Sequence, residues 1–163
     1  MKKSNTLQER IFTTEEMKQE VIRMRLKSKT IAFTNGVFDI LHEGHITVLS
    51  EAASFADVLI VGLNSDASVK KLKGDSRPVN NENSRALIIA SLIMADAVVI
   101  FNEETPIELI KMIKPDVLIK GGDYNLDTMV GSKEVLEAGG RVEIIPIREG
   151  FSTTGIIEKI CKI

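Results

Sequence analysis

Ile31-Ala32-Phe33-Thr34-Asn35-Gly36-Val37-Phe38-Asp39-Ile40-Leu41-His42-Glu43-Gly44-His45 is the stretch on which the reading of this 163-residue chain turns. Its first four residues are a short apolar run that ends at Asn35-Gly36, the pattern of a buried strand entering a turn. A helix-like segment follows from His45 to Ala56. Both histidines of the chain fall inside the stretch. Imidazoles three residues apart at a helix start face the same way, and the helix amino end adds partial positive charge. That arrangement suits an anion such as a phosphate, above all one gaining charge in a transition state. Two rival readings exist. Zinc favours such imidazoles, but the chain has no third histidine and no cysteine cluster. The rings could also merely cap the helix or fill gaps.

Working outward, four more runs share the strand character: Asp57 to Leu63, Asp96 to Phe101, Asp116 to Lys120 and Arg141 to Ile145. Near-continuous apolar composition is expected of strands covered on both faces. Helix-like segments lie between and after them, at Ser84 to Met94, Pro106 to Ile113, Ser132 to Ala138 and Thr154 to Ile160. Thr105-Pro106 supplies the third helix of the series with a cap and a first-turn proline. Strict alternation predicts an α/β fold, a doubly wound parallel five-stranded sheet with Rossmann-like topology and a ligand at the carboxyl ends of the strands. Residues 1–29 read as a helical lead-in, with Thr13 and Glu16 at capping-box spacing before Met17, Val21, Ile22 and Leu26. Residues 30–163 read as the single main domain. Lys73 to Asn83 reads as the longest polar loop, and the block from Asn64 to Asn83 as the expected seat of mobility.

Composition narrows the partners. Apolar residues make up 44% and charged residues 27%, with a formal net charge of -2. These values fit an ordinary folded domain and give no reason to expect nucleic acid. No apolar run approaches the ~20 residues of a membrane span, and no secretory core follows Met1-Lys2-Lys3. The single cysteine, Cys161, cannot form an internal disulfide, so a reducing, cytoplasmic setting is expected. Lys70, Lys71, Lys73 and Arg77 form a concentrated basic patch, which a surface loop would also display.

The histidine segment resembles the signature of the cytidylyltransferase-like nucleotidyltransferases, a His-x-Gly-His motif after a Gly-x-Phe-Asp turn. Further matches are similar to the heptose 1-phosphate adenylyltransferase branch of that family. They are Asn64-Ser65-Asp66-Ala67-Ser68-Val69-Lys70, Lys73-Gly74-Asp75-Ser76-Arg77-Pro78-Val79-Asn80, Lys120-Gly121-Gly122-Asp123-Tyr124, Gly131-Ser132-Lys133-Glu134-Val135 and Ser152-Thr153-Thr154. The likeness runs from about Thr30 to the C-terminus.

The resemblance implies transfer of AMP from ATP to a sugar 1-phosphate, with pyrophosphate released and Mg2+ as companion ion. It implies catalytic roles for His42, His45 and Lys73. It implies nucleotide contacts from Thr34, Asn35, Gly36, Phe38, Gly44, Arg85, Gly121, Asp123, Ser152, Thr153 and Thr154, and sugar-phosphate contacts from Asp39, Asn64 and Arg77. Metal ligands are not defined by it. A homodimer and a separate sugar kinase as pathway partner are the further expectations. Each role has a plainer counterpart: Arg85 could pair with Glu82 on the surface, Ser152 could simply cap a helix, and Asp123 could close a turn.

Three positions depart from the pattern: Val37 where cysteine is common, Phe151 in place of a smaller residue, and Asn81-Glu82-Asn83-Ser84 in place of a proline-containing approach. The rival glycerol 3-phosphate cytidylyltransferases place an arginine where this chain has Ile147, with Arg148 out of register by one. A third reading, of a different class, is a nucleotide-binding sensor without turnover.

Overall fold

Six parallel strands make one sheet in the computed structural model, which describes residues 7–122, 128–146 and 150–163. The strands are β1 (Ile11–Phe12), β2 (Ile31–Gly36), β3 (Val58–Asn64), β4 (Ala97–Phe101), β5 (Val117–Gly121) and β6 (Arg141–Ile145), in spatial order β1-β4-β3-β2-β5-β6. Five coincide with the expected runs. The sixth, β1, pairs Ile11 with Val98 at the β4 edge; two residues are too few to show any periodicity.

The helices are α1 (Thr14–Leu26), α2 (Glu43–Ala53), α3 (Asp66–Lys73), α4 (Glu82–Ala90), α5 (Ile107–Ile113), α6 (Ser132–Glu137) and α7 (Thr153–Ile160). The capping box at the start of α1 is formed, with Thr13 N donating to Glu16 Oε2 at 2.8 Å and Glu16 N to Thr13 Oγ1 at 3.3 Å. The face of α1 differs from the expectation. Met17, Val21 and Met24 turn inward, whereas Ile22 and Leu26 are exposed. Helix α3, which the sequence pattern does not announce, occupies the first part of the block expected to be mobile. Ser65 caps it by accepting from Ser68 N, and Val69 anchors it.

Alternation along the strands feeds two cores. Ile31, Phe33, Ile60, Val99 and Leu118 pack on one face with Met17, Leu109, Ile110 and Val135. Ala32, Leu59, Val61, Val98 and Ile119 pack on the other with Leu49, Ala52, Ala86 and Ile89. Each fully buried Val, Leu, Ile, Phe or Met side chain among them contributes about 1.5–3 kcal/mol.

Strand order reverses between β2 and β5, and the crevice above their carboxyl ends is where such sheets bind ligands. At the opposite rim, aspartates preceding three strands hold neighbouring backbone. Asp57 accepts from Thr30 N at 2.9 Å, Asp96 from Leu59 N at 2.8 Å and Asp116 from Ile31 N at 2.6 Å. Arg25 closes the last of these with an ion pair to Asp116 at 2.6 Å.

Candidate active site

β2 delivers Thr34, Asn35 and Gly36 to the switch point, and the chain then turns through Phe38 into α2. Phe38 takes a left-handed backbone angle, φ +48°, a conformation that costs a bulky residue roughly 1–2 kcal/mol. Its ring is buried and meets His45 edge-on, 5.2 Å between centroids. His42 stands at the N-cap position of α2 in extended conformation, yet its side chain makes no capping hydrogen bond. Simple capping therefore does not account for it.

The rings of His42 and His45 stack with centroids 3.8 Å apart and planes 23° apart. Their Nδ1 atoms are buried without a hydrogen-bond partner. Burial lowers the His42 pKa from its usual value. For His45, burial first and the neighbouring His42 second push it down to about 4. Both rings are neutral at pH 7, and an anion arriving at the amino end of α2 would favour their protonated form. Gly44 lets these groups lie close, because a Cβ there would sit 3.2 Å from the His42 ring and 3.5 Å from Phe151 Cβ.

A cavity of about 380 Å3 opens in front of the pair. Thr34, Asn35, Gly36, Phe38, Asp39, His42, Gly44 and His45 line it from the first turn, and Lys73 and Arg77 from the segment after β3. Gly121 enters from β5, and Ser152, Thr153 and Thr154 from the last helix. Sequence-distant groups are thus gathered at one place. Ser152 Oγ accepts from Gly155 N at 3.0 Å, and Thr153 Oγ1 donates to Ile40 O at 3.4 Å, which docks α7 onto the turn. Gly121 is required by packing, since a Cβ would come within 2.6 Å of Val48 on α2.

Asp39 and Arg77, expected to contact substrate, contact each other. The Arg77 Nε donates to Asp39 Oδ2 at 2.6 Å, and Asp39 Oδ1 accepts from Val79 N at 2.8 Å and Asn80 N at 2.9 Å. Burial would raise the Asp39 carboxyl, but the Asn80 and Val79 amides and the Arg77 guanidinium together hold it below the usual carboxylate range.

Two expected binding residues are not brought to the cavity. Arg85 is fully buried behind it, donating to Val37 O at 2.7 Å, Asn80 O at 2.9 Å and Asp66 Oδ1 at 2.7 Å. Its ion-pair partner is Asp66, not the Glu82 of the plainer alternative, which instead accepts from Asp66 N at 2.7 Å. Asn64 is also buried, its Nδ2 donating to Ser68 Oγ at 2.9 Å. Asp123, Ile147 and Arg148 lie outside the described residues.

Among the described residues, no group of three or more His, Cys, Asp or Glu side chains could hold a metal ion. Asp39 is the one acidic side chain among them that lines the cavity, and its oxygens are already occupied. These residues do not fit a protein-held magnesium site; an ion escorting a triphosphate would be held by phosphate oxygens and water. No helix among the described residues is long and apolar enough to cross a membrane.

A crevice at the switch point of a parallel sheet, with paired imidazoles at a helix amino end, defines a nucleotidyltransferase. The cytidylyltransferase-like family model matches residues 33–159, and the chain belongs to that family. It is 51% identical over 152 residues to the bifunctional protein HldE of Koribacter versatilis, covering 93% of this chain and 31% of that protein. The HldE of Campylobacter jejuni strain RM1221 is 52% identical over 158 residues, covering 97% of this chain and 33% of that protein. The chain therefore spans about a third of the length of the curated relatives it matches. Among solved structures, a lipopolysaccharide core biosynthesis protein from Thermoplasma volcanium aligns with TM-score 0.59 at 29% identity, over 74% of this chain and 97% of that one. A pantoate-beta-alanine ligase from Francisella tularensis aligns with TM-score 0.63 at 16% identity, over 94% of this chain and 78% of that one, a likeness of fold alone.

Proposed function

We propose that this chain transfers AMP from ATP to D-glycero-beta-D-manno-heptose 1-phosphate, giving ADP-heptose and pyrophosphate. A phosphate oxygen of the sugar attacks the α-phosphorus of ATP, and the bond to the β-phosphate oxygen breaks. The nucleophile is already an anion, so no base is needed to create it. The work lies in bringing two anions together and in stabilising charge on the α-phosphate and the departing pyrophosphate.

The observation that carries this reading is the stacked His42–His45 pair facing a cavity shared with Lys73 and Ser152-Thr153-Thr154. Neutral imidazoles each offer one N-H, and phosphate charge offsets the burial penalty that keeps them unprotonated. Lys73 ends α3 beside Gly74, where the lysine stem reaches the cavity rim. The hydroxyls and free amides at the start of α7 suit the remaining phosphate oxygens. The heptose acceptor rests on the resemblance of the Lys73–Asn80 and Lys120–Tyr124 segments and on the high identity to proteins named HldE. The relative from Thermoplasma volcanium adds weight, because glycan assembly consumes activated sugars. The same reading includes a cytoplasmic setting, a homodimer and a sugar kinase supplying the phosphate ester.

The test is pyrophosphate release across nucleoside triphosphates and sugar phosphates. Release with ATP and heptose 1-phosphate is expected. Release with CTP and glycerol 3-phosphate instead would make the chain a cytidylyltransferase, and binding of nucleotide without release from any pair would make it a sensor.

A further inference from the structure

Lys120 is the penultimate residue of β5, its side chain turned inward, and its Nζ donates a hydrogen bond to Asn35 Oδ1 on the adjacent strand β2. Among the described residues no carboxylate forms an ion pair with it. A half-buried ammonium whose partner among the described residues is a neutral amide is a costly feature, and desolvation pushes its pKa down to about 8, still protonated at pH 7. Asn35 is confined from the other side as well. Its Cβ lies against Gly62 of β3, where an added Cβ would come within 3.1 Å of it. Asn35 lines the cavity, whereas Lys120 does not.

An ammonium has donors and no acceptor, so only the oxygen of the Asn35 amide can face it. The flipped amide would set N-H against N-H. We infer that Lys120 is a positioning residue that holds Asn35 with its Nδ2 donor turned to the substrate, so that the cavity floor recognises a hydrogen-bond acceptor, a phosphoryl or hydroxyl oxygen. This rests on the proposed transferase reading. The oxygen could belong to ATP or to the sugar phosphate, and the two KM values separate these sources.

The experiment is a double-mutant cycle on the wild-type chain, Lys120→Met, Asn35→Ala and the pair, with Lys120→Arg as a charge-retaining control. Kinetics are read as KM for ATP, KM for heptose 1-phosphate and kcat, with thermal unfolding of each protein. Lys120→Met is expected to raise one KM about tenfold, as for loss of one hydrogen bond to substrate, with kcat less affected and Lys120→Arg partly restoring it. The same substitution in the Asn35→Ala background is expected to cost less than about twofold. An equal cost in both backgrounds would overturn the inference, as would an unchanged KM for both substrates in a folded Lys120→Met protein. Should Lys120→Met fail to fold, Lys120→Leu, which likewise lacks a donor, carries the same cycle. A wild-type protein that binds ATP but releases no pyrophosphate would count against the transferase reading; Lys120 is then judged by the same cycle on the Kd for ATP, where additive losses overturn it.

Discussion

The Arg77 guanidinium and the Asp39 carboxylate meet at 2.6 Å, and the carboxylate also gathers the Val79 and Asn80 amides. The pair joins the first turn of the site to the segment leading into α4. Asp39 is 1% exposed at its side chain and Arg77 16%, so removing the carboxylate strands a half-desolvated cation and two amides. Asp39→Ala is expected to lower the unfolding free energy by about 3–5 kcal/mol, measured by urea titration. A loss under 1 kcal/mol with abolished sugar-phosphate binding would return Asp39 to direct substrate contact.

His42→Ala and His45→Ala are expected to reduce pyrophosphate release by about a hundredfold or more, the scale for losing one group that stabilises transition-state charge. Circular dichroism and the melting profile should change little for His42, which lies closer to solvent. Near-normal turnover in both variants would remove the pair from the mechanism.

The pH dependence of stability has a defined sign. Unfolded His45 takes up its proton near pH 6.5, whereas folded His45 does so only near 4. Between these values the unfolded chain binds more protons, so acidification from pH 7 towards 4 removes stability, about 1–3 kcal/mol from this half-buried group once solvent screening is allowed for. Above pH 7 it contributes no slope. Denaturant titrations at pH 7, 5.5 and 4.5 should show a smaller loss for His45→Gln than for the wild type; parallel losses would contradict the assignment.

Arg85→Met leaves Asp66 unpaired and two carbonyls without their donor, an expected cost of about 3–5 kcal/mol. Arg85→Lys, which keeps the charge, should lower the melting temperature while moving the KM for ATP less than about threefold, since the guanidinium does not line the cavity. A tenfold rise in KM at unchanged stability would place the arginine at the nucleotide after all.

How far the sequence could be read depended on how local each signal was. Asp57 to Leu63 and Asp96 to Phe101 were legible as strands because burial on both faces leaves continuous apolar runs. The His42–His45 pair was legible because one helical turn of sequence fixes its spacing. Helix α3 was not, since Val69 is its one buried apolar residue and Leu72 is exposed, leaving no periodicity to detect. Arg85, expected at the nucleotide from the resemblance and otherwise on the surface, is found behind the cavity in an ion pair with Asp66. A charge beside Glu82 reads as surface, and nothing local reveals an ion pair with Asp66. Lys120 and Asn35 are 85 residues apart; the available signal was a lysine near the end of an otherwise apolar interior strand.

The aspartate contacts of Asp57, Asp96 and Asp116 sit at the far end of the sheet from the cavity and clamp strand to strand there. The platform beneath the crevice is consequently stiff, and its upper ends inherit their alignment from below. On the proposed transferase reading, a site that admits two large anions and expels two others each cycle still needs something that yields. On that reading the compliance is left to segments over the crevice that no such aspartate clamps, the one ending in Lys73 and the one carrying Ser152 to Thr154.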